Sequence, residues 1–502
     1  MKAERFLIIF SIIALAVVAS FFMSPIYAAA FIPAATFGII LLGAPRTFLF
    51  FYLAVLSIYP FLKEYFPTGL VKYLNELMGA LLFTMFVVHI ALRRLDFSRI
   101  RKWTFTAFLF LGYVVFTWAL NRGSMRAAVQ CTFNYLSFIP FYILCVNYLK
   151  RRDFFVILRG SILFFWFNFI LNVGWFLHVN PLFNYQLSRN NMVDVAKGTF
   201  GACNYVAYFC VMFFFLLLSV LNSGLLAGRK TLRIWIIITL PIILLQLYLT
   251  YTNHAYLFFV LAFIPYAAIT GFLRKWQSWG AMALLVGAVI LAFMVSEELQ
   301  RQFSKETLQL RQDRLAKSAK VQILNDLAIK NLRTNPMEWV LGVGPGNGMG
   351  SIGKANLTPF ALKMLLDYYQ AFDVRAMQMT SITGLASSAI FTLWGDFGIV
   401  GFIIFFLLYV MLFIKCYRAA VGSGENGYKK VLAQFLIGAL AVFTLVNIAI
   451  DILYFGALTL WLWMWLALFT LPEGTESKDQ LAGPPAAEKT SQICPPAFRY
   501  RV

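Results

Sequence analysis

The sequence predicts an all-α polytopic membrane protein with about 12–14 transmembrane helices and one large extracytoplasmic helical loop. The chain of 502 residues is 61% hydrophobic and only 13% charged, which is more apolar surface than a soluble fold of this length can bury. Apolar segments long enough to cross a bilayer recur along it. Basic residues gather in every second connection between those segments.

The apolar segments define the predicted helices in order. The second and third are short and fit either a hairpin or one broken helix. The first is interpreted as a spanning helix, because no cleavage site followed by a soluble domain comes after it. The predicted segments lie near 6–22, 28–43, 47–61, 71–92, 103–120, 129–148, 154–177, 200–222, 232–250, 254–272, 278–296, 398–415, 431–449 and 452–471.

The basic residues predict the orientation of these helices. With the N terminus inside, the inner connections hold most of the Lys and Arg, whereas each short outer connection holds at most two. The positive-inside rule then places both termini in the cytoplasm. The same rule, together with anionic head groups, accounts for the net charge of +21 without any nucleic-acid partner.

The chain divides into four predicted regions. Residues 1–296 form a transmembrane bundle, and 297–384 form an extracytoplasmic loop that contains helices and a glycine-rich turn. Residues 385–471 return to the membrane, and the polar tail 472–502 has the composition of a disordered cytoplasmic segment. Loops as long as 297–384 usually carry function. A helix in its first part is predicted to end at Pro336.

Glycine occupies every second position from Gly342 to Gly350. The later part of this stretch, GMGSIGKA, is one residue short of a phosphate-binding P-loop, because Ala355 stands where that motif needs Ser or Thr. An outer location also lacks an ATP pool. The glycines therefore predict either a flexible turn or a cradle of backbone N–H groups for an anion or a sugar.

The cysteines predict neither a disulfide framework nor a metal centre. Five of the six lie in or beside apolar segments, where cysteine packs as a small hydrophobic residue, and none forms a CxxC pair. No metal and no cofactor is expected. The first outer connection, 61–70, contains Glu64 as its one acid and no DxD pair, which disfavours a metal-dependent membrane glycosyltransferase.

Three segments, taken with the topology, resemble the O-antigen polymerase and O-antigen ligase superfamily of bacterial surface polysaccharide synthesis. They are KGTFGACNYVAYF from Lys197, NPMEWVLGVGPGN from Asn335 and ASSAIFTLWGDFGIVGF from Ala386. The resemblance covers roughly residues 185–415. It implies a multi-pass protein of the bacterial inner membrane that acts on an undecaprenyl-diphosphate-linked glycan among membrane lipids. A flippase and a chain-length regulator are the protein partners it implies.

The activity implied by this resemblance is metal-independent glycosyl transfer that polymerises lipid-linked repeat units at the outer face of the membrane, in exopolysaccharide or cell-envelope biosynthesis. The alternatives are a ligase that moves glycan to a lipid acceptor, a lipid-linked oligosaccharide flippase, and a non-catalytic partner of a synthesis complex. The family often has His-Asn where this chain has Ser387 and Ser388. This departure weakens the ligase alternative more than the polymerase and leaves an inactive protein open.

The candidate catalytic residues are His254, Asp396 and Ser387. His254 suits a general base, with interfacial hydrogen bonding as its competing role. Asp396 matches the family's acid, with structural ion pairing as its competing role. Fixed cations would bind a diphosphate. The basic residues of the loop 297–384 are also explained by a helix face that is exposed to solvent. The candidate substrate-binding residues are Arg189, Arg311, Arg314, Lys320, Gly344, Gly346 and Asn347.

Overall fold

The computed structural model describes residues 43–65, 71, 74–176, 198–200, 202–250, 252–271, 335–347, 389–422, 427–449 and 456–471. Within these ranges the chain is helical and contains no strand. The helices are α1 (Pro45–Tyr65), α2 (Leu74–Ala91), α3 (Arg101–Asn121), α4 (Met125–Tyr135), α5 (Phe138–Tyr148), α6 (Asp153–Phe176), α7 (Cys203–Leu221), α8 (Lys230–Leu249), α9 (Asn253–Thr270), α10 (Pro336–Leu341), α11 (Ala389–Val421), α12 (Gly427–Ala449) and α13 (Gly456–Thr470).

The described part of the chain contains 9 candidate membrane spans, one of which joins α4 and α5. Two shorter apolar helices, His254–Thr270 and Gly456–Thr470, accompany them. A hydrocarbon core about 30 Å thick needs roughly 20 helical residues, and these elements supply that length repeatedly. The predicted class, an all-α polytopic membrane protein, is therefore confirmed.

Each predicted segment that falls wholly or mostly within the described residues corresponds to one helix, except 129–148, which corresponds to two. The segments near 6–22, 28–43 and 278–296 lie outside them, as do most of the predicted loop and the tail. The third segment, predicted to be short, is the full helix α1 with Pro60 inside it.

The structure differs from the prediction at two helix boundaries. The segment 129–148 is broken, because α4 ends at Tyr135 and α5 begins at Phe138. The segment predicted as 398–415 begins earlier, at Ala389, and bends at Gly398. The helix predicted to end at Pro336 lies outside the described residues, and Pro336 itself begins α10 at the first helical position, where a missing N–H costs nothing.

One end of the bundle, called here the basic end, contains most of the described cations. Arg46 at the start of α1 pairs with the buried Asp153 at the start of α6. Arg229, before α8, lies over the ring of Phe155 with its Cζ 4.0 Å from the ring centroid. These contacts bring the ends of distant helices together on the side that the sequence marks as basic.

The centre of the bundle is aromatic. Helix α13 is buried along its length from Ala457 to Thr470, as expected for a helix that is apolar on all sides. Its Trp463 stacks on Phe138 with centroids 4.6 Å apart and lies 5.5 Å from Trp103. This packing holds α3, α5 and α13 as one unit and positions the far end of α3.

Candidate functional site

The end opposite the basic end, called here the turn end, joins two of the segments that carry the resemblance. The glycine turn, residues 342–347, packs on the first part of α11. The N–H of Val343 donates to the carbonyl of Gly395 at 3.0 Å, and the N–H of Gly344 donates to the carbonyl of Asp396 at 2.9 Å. The N–H of Gly346 donates to Oδ2 of Asp396 at 2.9 Å. The buried Asp396 is thus bound to the turn through both its backbone and its carboxylate.

Glycine is required where the two backbones meet. Gly342 has φ +79° and Gly398 has φ +62°, values that residues with a side chain rarely adopt. A Cβ at Gly342 would overlap the carbonyl of Asp396, and a Cβ at Gly398 would overlap the carbonyl of Val340. The bend at Gly398 interrupts α11 beside Asp396. Glycine therefore permits a backbone-to-backbone contact that no other residue type would allow.

Helix α3 supports the turn from the other side. The hydroxyl of Tyr113 lies 2.9 Å from the carbonyl of Phe397 and 3.2 Å from that of Leu341, so it bridges the two joined segments. Nδ2 of Asn121 donates to the carbonyl of Gly342 at 3.3 Å. Gly123 lies so close to the side chain of Asn347 that a Cβ there would overlap it. The corner after α3 thus forms one wall of the site.

The N–H groups of the glycine turn serve the protein itself. Gly344 and Gly346, predicted as substrate-binding residues in a possible N–H cradle, both donate to Asp396, and their part in substrate binding stays a prediction. Each donor from 342 to 347 has a protein acceptor, and Pro345 has no N–H. The bonds not yet given run from Gly342 to the carbonyl of Glu338 at 2.8 Å and from Asn347 to the carbonyl of Gly344 at 3.1 Å.

The amide of Asn347 is also held within the turn. Its Nδ2 donates to the carbonyl of Val343 at 3.2 Å, and the residue is buried. Beside it, Trp339 and Trp394 meet edge to face with centroids 5.7 Å apart. Neither indole N–H of this pair has a hydrogen-bond partner among the described residues. A polar ligand that reached this pair would find two donors.

His254 belongs to a second polar group at the same end. Its Nε2 is hydrogen-bonded to the hydroxyl of Tyr208, and the hydroxyl of Thr252 donates to Oδ1 of Asn204 at 3.2 Å. Tyr208 and Asn204 come from KGTFGACNYVAYF, so the third family-like segment meets the start of α9 here. The described contacts of His254 do not include Asp396, and the two candidates stand in separate groups.

Two asparagines inside the apolar helix α6 bind the start of the segment KGTFGACNYVAYF. Oδ1 of Asn172 accepts the N–H of Gly198 at 2.8 Å, and Oδ1 of Asn168 accepts the N–H of Thr199 at 2.7 Å. Gly198 has φ +54°. An amide is costly inside an apolar helix unless it has a partner, and here the turn before α7 supplies it.

Several sequence candidates lie outside the described residues: Ser387, Arg189, Arg311, Arg314 and Lys320. Their roles stay predictions. Among the described residues, no group of three or more His, Cys, Asp or Glu side chains is placed to hold a metal ion. The five described cysteines, all buried, are free thiols.

The supporting residues of α3 and α6 lie outside the motifs and were missed by sequence reasoning. Tyr113 gives no signal, because tyrosine is common in apolar helices. Asn168 and Asn172 could have been noticed, since two amides four residues apart share one face of an otherwise apolar helix. Gly123 gave a weaker signal, as a glycine after a helix usually marks only its end.

No protein-family model matches the chain, and a search of curated proteins found no match. The fold defines a polytopic all-α membrane protein. Its turn end defines a site in which a glycine turn, a buried carboxylate and two polar side-chain groups come from distant parts of the sequence.

Proposed function

We propose that this protein polymerises undecaprenyl-diphosphate-linked oligosaccharide repeat units into a surface or extracellular polysaccharide. The observation that carries the proposal is the contact between GVGPGN and the start of WGDFGIVG through Asp396. These are the two most distinctive segments of the resemblance. They are far apart in sequence, and a shared site is the simplest reason for a membrane protein to join them by their backbones.

The proposed orientation places the turn end at the outer face of a bacterial inner membrane and both termini in the cytoplasm. It rests on the basic end, where Arg46, Arg151 and Arg229 lie at the ends of helices, because such residues favour the cytoplasmic side. A lipid-linked glycan that has been flipped outward would then meet the site from the outer leaflet.

The proposed reaction transfers a growing glycan from its diphosphate carrier to a sugar hydroxyl of the next repeat unit. The glycosidic bond to the diphosphate breaks, the hydroxyl oxygen bonds to the sugar, and the hydroxyl proton leaves to a base. His254 is the candidate base among the described residues. Cations would stabilise the departing diphosphate, a role that falls to the predicted substrate-binding residues Arg189, Arg311, Arg314 and Lys320. Asp396 would hold the turn against α11.

The test of function is deletion of the gene followed by analysis of the glycan. A polymerase mutant should make single repeat units, and plasmid-borne wild-type protein should restore long chains. Accumulation of long lipid-linked chains would identify a ligase instead, and repeat units trapped in the inner leaflet would identify a flippase. Unchanged polymer length in the mutant would contradict the proposal.

A further inference from the structure

The corner between α3 and α4 carries two arginines, Arg122 and Arg126, within three residues of Gly123, which lies against the glycine turn. Arg122 lies between Asn121, which donates to the carbonyl of Gly342, and Gly123, which lies against Asn347. Arg126 is in the first turn of α4, after the N-cap Ser124. Both arginines are exposed.

Local structure disfavours arginine at both positions. Arg122 has φ 47° and ψ 41°, the left-handed conformation in which glycine or asparagine is less strained. Arg126 places a cation at a helix N-terminus, where the helix dipole favours an anion, and the first turn of α4 has no acidic residue. The left-handed conformation of Arg122, shared among the described non-glycine residues by Arg93 at the basic end alone, is a reason to look for a function.

The ion pairs between described residues include neither arginine. In the described part of the chain no carboxylate lies within 4.0 Å of either guanidinium. Topology does not account for them either, since the positive-inside rule favours cations at the basic end and these are at the turn end. Two cations are therefore free to meet an anion beside the turn.

The N–H groups of the turn cannot supply that anion's donors, because protein acceptors already use them. Side chains must then supply them. We propose that Arg122 and Arg126 bind the diphosphate of a lipid-linked substrate at the corner between α3 and α4, next to the glycine turn. A guanidinium can hold two phosphate oxygens at once, and the free N–H groups at the start of α4 add a favourable field.

The identity of the anion as a lipid diphosphate rests on the proposed function. The existence of an anion site at this corner rests on the two arginines alone. The ordered segment 335–347 and the corner come from parts of the chain more than 200 residues apart. Recognition by Arg122 and Arg126 would thus give the helices before residue 185, which the resemblance does not cover, a direct part in substrate binding.

The test is binding of farnesyl diphosphate to the full-length protein in phosphatidylcholine nanodiscs. Arg122→Gly and Arg126→Gln should each raise the Kd by about tenfold, as expected for loss of a charge-assisted hydrogen bond. Arg122→Lys should retain part of the affinity. The matched control is Lys63→Gln, which removes an exposed cation from the last turn of α1 at the same end of the bundle.

Thermal unfolding separates this role from a structural one. Arg122→Gly removes the left-handed penalty, so its thermal midpoint should not fall while its affinity does. A variant that is as stable as the wild type and keeps wild-type affinity would overturn the inference. So would wild-type affinity in both variants, or a wild-type protein that does not bind farnesyl diphosphate.

Parallel nanodiscs containing phosphatidylglycerol distinguish the source of the anion. If the arginine variants lose affinity for phosphatidylglycerol but not for farnesyl diphosphate, the corner is a head-group site and the diphosphate assignment is wrong. If they lose diphosphate affinity while gene deletion leaves polymer length unchanged, the anion site stands and the polymerase proposal fails. The two proposals can therefore fail separately.

Discussion

The two ends of the bundle contain the same residue types in different surroundings. Each end has a buried aspartate, Asp153 at the basic end and Asp396 at the turn end, with 0% and 2% exposure. Each also has a histidine bonded to a tyrosine hydroxyl: His89 to Tyr148 at the basic end, and His254 to Tyr208 at the turn end.

The difference lies in the partners of the two aspartates. Asp153 pairs with the guanidinium of Arg46 and accepts the N–H of Lys150 from its own helix start at 2.9 Å. Asp396 accepts the N–H of Gly346, from a segment 50 residues earlier in the chain. The basic end is fixed by charge and by side chains that can adjust. The turn end is held by a close contact between backbone atoms, which cannot adjust in this way, so its stability depends on the exact backbone conformation.

The strongest test of this difference is Gly398→Ala. A methyl group there would overlap the carbonyl of Val340, and the conformation of φ 62° and ψ −174° is almost restricted to glycine. We expect a loss of more than about 3 kcal/mol in the free energy of unfolding, because overlap adds to backbone strain of that order. Polymer formation should be abolished in a deletion strain that expresses the variant.

The control is Gly395→Ala, three residues earlier in the same helix. A Cβ at Gly395 would have no atom within 4 Å, so this change should stabilise α11 by up to about 1 kcal/mol through helix propensity. Comparable damage from both variants would show that the joined backbones are not what holds the turn end.

The second test exchanges the two aspartates for alanine. Asp396→Ala leaves the buried N–H of Gly346 without its acceptor, which costs about 1–3 kcal/mol, and should lower polymer yield at least about 100-fold as the turn leaves α11. Asp153→Ala should lower the free energy of unfolding by a similar amount, seen as a lower thermal midpoint. It should leave the polymer yield per folded protein unchanged, because it removes an ion pair far from the site.

Asparagine variants sharpen this comparison. Asp396→Asn keeps an oxygen that can accept the N–H of Gly346, so its thermal midpoint should stay near that of the wild type. Asp153→Asn keeps an acceptor for Lys150 but loses the charge that Arg46 needs, and should be less stable. If Asp153→Asn abolished polymer formation in a folded protein, the division between the two ends would be wrong.

Much of the fold can be predicted from the sequence, because few kinds of backbone structure can span a bilayer. Apolar length locates the helices, and the basic residues at Arg151 and Arg229 mark one end. The beginning of α11 at Ala389 and its bend at Gly398 could not be predicted in this way, since both depend on a contact with residues 342–347. Periodicity reports a helix but does not report what bends it.

The sequence predicted the individual motifs of the site but not how they contact one another. Asp396 stood out because a carboxylate is costly in an apolar helix, and the glycines stood out by their spacing. Their mutual contact required the structure, as did the use of the turn's N–H groups by α11. The positions of Tyr113 and Gly123 beside the turn follow from how α3 packs, which no local pattern in the sequence records.

The last test compares His254→Gln with His89→Gln. We expect His254→Gln to have the smallest effect on the fold and a specific effect on the reaction. Glutamine can still hydrogen-bond a tyrosine hydroxyl but cannot act as a base near neutral pH. If His254 accepts the proton of the sugar hydroxyl, polymer yield should fall about 100-fold, as is usual for loss of a general base, with the thermal midpoint unchanged. His89→Gln should leave the yield intact, because the buried His89 lies at the opposite end of the bundle. Equal yields from both variants would remove His254 from the reaction and assign both His–Tyr pairs to packing. The base would then have to be sought among residues outside the described ranges.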